Sequence, residues 1–89
     1  MVAIKDYIDR IEETCGEEKD FIATLKYEKR DKAIKLILRR SEKNRSISSV
    51  VYELTFRGTS FRLYATGKII FRHLKTKDEV RGILAELLQ

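Results

Sequence analysis

Five residues in the stretch SFRLYATGKIIFRHLKTK (60–77) have the types and spacing that recognition of a polyanion needs. Arg62 and Tyr64 alternate with Phe61, Leu63 and Ala65. After the turn signal Thr66-Gly67, Lys68, Ile70 and Arg72 alternate with Ile69 and Phe71. In extended chain, successive side chains point to opposite faces, so the two sets separate. One set is apolar. The other offers cationic donors to phosphate oxygens and a phenol ring that can stack on a base.

The remaining sequence offers little for making or breaking bonds. His73 is the only histidine and Cys15 the only cysteine, so a metal site from one chain would lack ligands. An internal disulfide is excluded for the same reason, and Cys15 reads as a small buried apolar residue. Thr66-Gly67-Lys68 is a turn rather than a nucleotide cradle, and no Ser/His/Asp set is present. Asp6, Asp9, Glu12 and Glu13 read as solvated charges on the outer side of a first helix. The expectation is a protein that is not an enzyme, with no cofactor, no metal and no small-molecule substrate.

Charge is unevenly distributed along the 89 residues. Residues 1–20 hold three Lys/Arg against seven Asp/Glu, whereas residues 21–89 hold sixteen against seven. An acidic end on a basic body suits a body that meets nucleic acid. A length of 89 residues makes one domain. No apolar run approaches 18 residues, so no membrane span is expected. The start MVAIKDYIDRIEE is too charged for a secretory signal, and a cytoplasmic protein is the simplest expectation. Asn44 and Gln89 are the only side-chain amides, and proline is absent. That composition fits a protein from a hot environment, where charge-rich surfaces also serve stability.

The elements that must position these side chains follow from periodicity. Ile4, Ile8, Ile11 and Cys15 are spaced as one stripe of a helix over 3–15, with Gly16 as its C-cap. From Phe21 the period changes to two, and five strands are expected. They start at Phe21, Ile34, Val50, Phe61 and Lys68, with RRSEKNRS (39–46) as a basic loop. Thr76 and Glu79 are spaced as a capping box ahead of the stripe Val80, Ile83, Leu84, Leu87 and Leu88. The expected fold is a two-layer α+β domain, ordered α-β-β-β-β-β-α, with both helices on one face of an antiparallel sheet.

On that reading the open face carries Lys26, Lys35, Arg39, Arg57, Arg62, Lys68 and Arg72 against only Glu28 and Glu53. Ile22, Ile37, Val51, Tyr64 and Ile70 share it, more apolar surface than a merely solvated face needs.

The segment LYATGKIIF also resembles the strand–turn–strand of the TATA-binding-protein fold, in which an apolar-aromatic pair precedes Ser/Thr-Gly-Lys and a strand runs into a final helix. Similar half-units occur in the N-terminal domain of type III ribonuclease H. The resemblance covers residues 60–88. It implies that Tyr64 projects from the sheet and wedges into a base step, and that Ile70 and Arg72 face the nucleic acid. With one half-unit per chain, it implies that a saddle would need a homodimer. Arg72 stands where the family has a small residue, and His73 where it has glycine. In element order alone, the expected fold is similar to the Alu-domain proteins of the signal recognition particle, which are helix, sheet, helix and bind RNA on a basic sheet face as a dimer.

The functional expectation is a nucleic-acid-binding domain, for DNA or RNA, working through the open sheet face. Lys26, Lys35, Arg39, Arg57, Arg62, Lys68 and Arg72 would meet phosphates beside Tyr64 and Ile70, and Arg40, Lys43 and Arg45 would extend the track. The alternative is a small subunit that uses the same face against a second copy or a protein partner.

Overall fold

The computed structural model describes residues 4–14, 20–48, 50–72 and 74–88. The chain forms β1 (Ile8–Glu13), β2 (Phe21–Leu25), α1 (Arg30–Arg40), β3 (Glu42–Ser48), β4 (Val51–Phe56), β5 (Thr59–Tyr64), β6 (Lys68–Phe71) and α2 (Lys77–Leu87). Single 3-10 turns, Ile4–Asp6 and Tyr27–Lys29, precede β1 and α1. All six strands join one antiparallel sheet in the order β1-β2-β6-β5-β4-β3. The class is α+β with one antiparallel sheet, as expected. The strand count is six rather than five, and the first helix lies inside the chain rather than at its start. The helix–sheet–helix order expected from periodicity is therefore not the order of this fold.

The segment expected as a helix over 3–15 holds β1 instead. Ile8 and Ile11 are three apart, which suits a helix, yet they also share one side of this strand. A bulge makes this possible: Ile8 pairs with Leu25 and Arg10 with Thr24, so β1 carries one extra residue there. Ile8 is buried and Ile11 packs against the core, while Arg10 and Glu12 turn to the opposite side. Cys15 and Gly16 lie outside the described residues.

The second correction concerns 34–39, expected as a strand and found in α1. A short apolar run such as AIKLIL fits both periods. Here the helical one applies, because Ala33 and Ile37, four apart, are the two fully buried residues of the helix. Connectivity supplies a further reason. β2 neighbours β6, while β3 lies at the far edge, four strand spacings or roughly 19 Å away. Eleven helical residues at about 1.5 Å each reach roughly 16 Å, so α1 with its 3-10 lead-in carries the chain across the sheet. Asp31 in its first turn and Arg39 and Arg40 in its last suit the helix dipole. The hydroxyl of Ser41 then closes the end by donating to the Ile37 carbonyl at 2.6 Å.

The basic loop expected at 39–46 divides between the end of α1 and the edge strand β3. From β3 the chain returns as a meander to β6, placed between β5 and β2. The expected strands at 21, 50, 61 and 68 correspond to β2, β4, β5 and β6. Gly67 has φ +102° in the β5–β6 turn, and its N–H donates to the Tyr64 carbonyl at 2.9 Å. Arg57 and Gly58, with φ +50° and +78°, form the two-residue turn that brings Phe56 opposite Thr59. Thr76 caps α2 as its spacing predicts, its hydroxyl accepting from the Glu79 N–H at 3.3 Å.

One face of the sheet is covered. Phe21, Ala23, Leu25, Leu54, Phe61, Leu63, Ile69 and Phe71 are buried with Ala33 and Ile37 of α1 and Val80, Leu84 and Leu87 of α2. Phe61 and Phe71 are cross-strand partners with ring centroids 5.2 Å apart. The alternate residues of the same strands form the other face.

Candidate functional site

The uncovered face is held by the register of five strands. One row runs Glu12, Ile22, Ile70, Arg62, Glu53 across β1, β2, β6, β5 and β4, each residue the cross-strand partner of the next. On one side of this row Arg10 pairs with Thr24 and Thr24 with Lys68, while Tyr64 pairs with Val51. On the other side Ser60 pairs with Thr55, and Arg72 extends just beyond β6. Ile22, Val51, Tyr64 and Ile70 are half-buried, so each presents part of its apolar surface to solvent.

The cations on this face differ in how far they are already engaged. Arg10 is bound to Glu12 at 2.9 Å. Arg72 is 3.9 Å from Asp20, an exposed pair of the kind that contributes little. Arg62 and Lys68 form no ion pair with a described residue. Arg62, Ile70 and Arg72, with Glu53, Ser60 and Phe61, line a shallow cavity of about 190 Å³. Two guanidinium groups beside an isoleucine can take an oxyanion on one side and an apolar or aromatic surface on the other.

The structure brings together five of the nine residues expected at the site: Arg62, Tyr64, Lys68, Ile70 and Arg72. Of the other four, Lys26 lies just past the end of β2, where it leads into the 3-10 turn before α1, and three are elsewhere. Lys35 and Arg39 stand exposed on the outer side of α1, because the segment is helical and its apolar side faces the sheet. Arg57 occupies the β4–β5 turn, where its guanidinium binds Glu86 of α2 at 3.0 Å. The balance of seven cations against two acids on one plane therefore does not hold. Along the described strands, register places Arg10, Arg45, Arg62 and Lys68 on the uncovered face, with Arg72 just beyond β6, against Glu12, Glu42 and Glu53.

Ile37, expected on the open face, is fully buried in the core. Of the cations expected to extend the track, Arg40 ends α1, and the Lys43 ammonium lies 5.4 Å from the Tyr52 ring centroid. Arg10 and Glu12 escape sequence reasoning because the spacing of Ile4, Ile8 and Ile11 favours a helix there. The signal that identifies them is their own two-residue spacing, interleaved with the apolar positions Ile8 and Ile11.

Among the described residues, no group of three or more His, Cys, Asp or Glu is placed to hold a metal ion, and no helix is long and apolar enough to cross a membrane. His73 lies outside the described residues. In comparison with known proteins, no protein-family model, no curated protein and no solved structure matches the chain.

Proposed function

We propose that this chain is a non-enzymatic nucleic-acid-binding domain that works through the uncovered face of its sheet. The observation that carries the reading is one constellation: Arg62 and Arg72 flank Ile70 around the shallow cavity, and Tyr64 and Lys68 lie on the same face. Cations set beside a half-exposed aromatic ring and aliphatic side chains can hold phosphates while bases stack on the apolar surface. The resemblance of LYATGKIIF to a TATA-binding-protein half-unit implies contact roles for three of these residues, Tyr64, Ile70 and Arg72, with Tyr64 as the wedge between base steps.

The test is a salt-dependent titration against duplex DNA, duplex RNA and single strands. Two to three phosphates neutralised by Arg62, Lys68 and Arg72 should contribute about −2 to −3 to the slope of log K against log salt on duplex DNA. Absence of binding to all three at about 50 mM salt would refute the reading.

A second reading draws on Ile22 and Ile70, direct cross-strand partners on the uncovered face, with Val51 and Tyr64 nearby. In this reading the apolar centre meets a second copy and the charges form its rim. Ile22→Glu with Ile70→Glu would then shift the sedimentation coefficient to that of a monomer. A wild-type chain that sediments as a monomer throughout the micromolar range excludes this reading.

A further inference from the structure

Helix α1 carries five Lys/Arg against one Asp in its eleven residues, and three of the five form a stripe on the side away from the sheet. Lys32, Lys35 and Arg39 are all exposed and follow one another at spacings of three and four, the geometry of a single helical stripe. The stripe extends about 10.5 Å along the axis. None of the three forms an ion pair with a described residue, and Asp31 is the only acid in the helix, 3.9 Å from Arg30.

Stability does not account for this pattern. Like charges at these spacings repel and weaken a helix, and a surface charged for stability interleaves the two signs. Helix α2 of the same chain does interleave them, with Arg81 bound to Asp78 at 3.1 Å and Glu86 bound to Arg57 at 3.0 Å. A second observation lies in the turn ahead of the helix. Tyr27, in the turn that leads into α1, is 82% exposed, and the Arg30 guanidinium lies 5.0 Å from its ring centroid. Arg30 itself packs inward toward Gly67, so the exposed ring stands at the N-terminal end of α1, five residues ahead of Lys32, where it offers a nucleotide a stacking surface that a purely ionic partner would not use. Insertion into a lipid surface is disfavoured, because the apolar side of α1 is committed to the core through Ala33 and Ile37.

We infer that the outer side of α1, with Lys32, Lys35 and Arg39 as phosphate contacts and Tyr27 as a stacking platform, is a nucleic-acid contact surface separate from the uncovered sheet face. It rests on nucleic acid being the ligand, but not on the sheet face being the site that binds it. Because α1 lies on the covered side of the sheet, the two surfaces point away from each other.

Three proteins test it by salt titration on one duplex DNA: wild type, the variant Lys32→Gln/Lys35→Gln/Arg39→Gln, and the variant Arg62→Gln/Arg72→Gln. Neutral glutamine retains helix propensity, and circular dichroism checks the fold. The helix variant is expected to bind with a slope shallower by roughly 2.7, at about 0.9 for each phosphate it no longer neutralises, and Tyr27→Ala to weaken binding to single strands about tenfold. A helix variant that keeps the wild-type slope overturns the inference and leaves the sheet reading intact. If only the sheet variant keeps the wild-type slope, the sheet reading fails and the inference stands. A wild type that binds no nucleic acid removes both. Tighter binding to phosphatidylserine vesicles than to DNA, abolished in the helix variant, also overturns the inference, because the surface would then serve a membrane.

Discussion

Arg62 of β5 and Ile70 of β6 are direct cross-strand partners on the uncovered face of the sheet. This pairing brings a guanidinium that forms no ion pair with a described residue next to an aliphatic side chain, on the side of the sheet away from α1 and α2. Reversing charge there should abolish binding and spare the fold. For Arg62→Glu with Arg72→Glu, affinity for nucleic acid at about 100 mM salt is expected to fall at least tenfold, while the unfolding free energy stays within about 0.5 kcal/mol of wild type. Fluorescence anisotropy and urea denaturation measure the two quantities.

Ile37 is expected to behave in the opposite way. It is fully buried on the inner side of α1, so Ile37→Ala leaves a cavity and should cost about 2–5 kcal/mol by denaturant unfolding. Ile37→Glu should prevent folding, since a carboxylate there would be buried without a partner. A soluble, folded Ile37→Glu protein would contradict the placement of α1.

Two glycines should respond with opposite signs to alanine. Gly67 has φ +102°, and a Cβ there would lie 3.1 Å from Cδ of Arg30. Gly67→Ala should therefore destabilise by roughly 1–3 kcal/mol. Gly82 is exposed inside α2, and nothing lies within 4 Å of an added Cβ. Gly82→Ala should stabilise by about 0.5–1 kcal/mol. Thermal and urea unfolding of the pair check both signs.

Thr76→Ala removes the only side-chain cap of α2 among the described residues. The hydrogen bond from the Glu79 N–H is long, at 3.3 Å, so the cost should fall at the lower end of the range for N-caps, about 0.5–1 kcal/mol. Thr76→Ser should recover most of it. Equal losses in both variants would show that the methyl group, rather than the hydroxyl, matters at this position.

The sequence alone determined those parts of the fold where local signals act within a few residues. Strict alternation identified β2, β4, β5 and β6; Gly67 marked the β5–β6 turn, and Thr76 with Glu79 marked the start of α2. It also placed Arg62, Tyr64, Lys68, Ile70 and Arg72 on one face, because a hairpin with a tight turn fixes its own parity.

Only the tertiary structure decided the rest. Ile8 and Ile11 fit a helix by spacing, and a bulge against β2 makes them neighbours on one side of a strand. Ile34, Leu36 and Leu38 fit a strand, but the chain must cross from β2 to the far edge at β3, and burial of Ala33 and Ile37 makes that crossing a helix. Short apolar runs satisfy both periods, so the partner surface selects between them. The same selection moved Lys35 and Arg39 from the sheet to the outer side of α1.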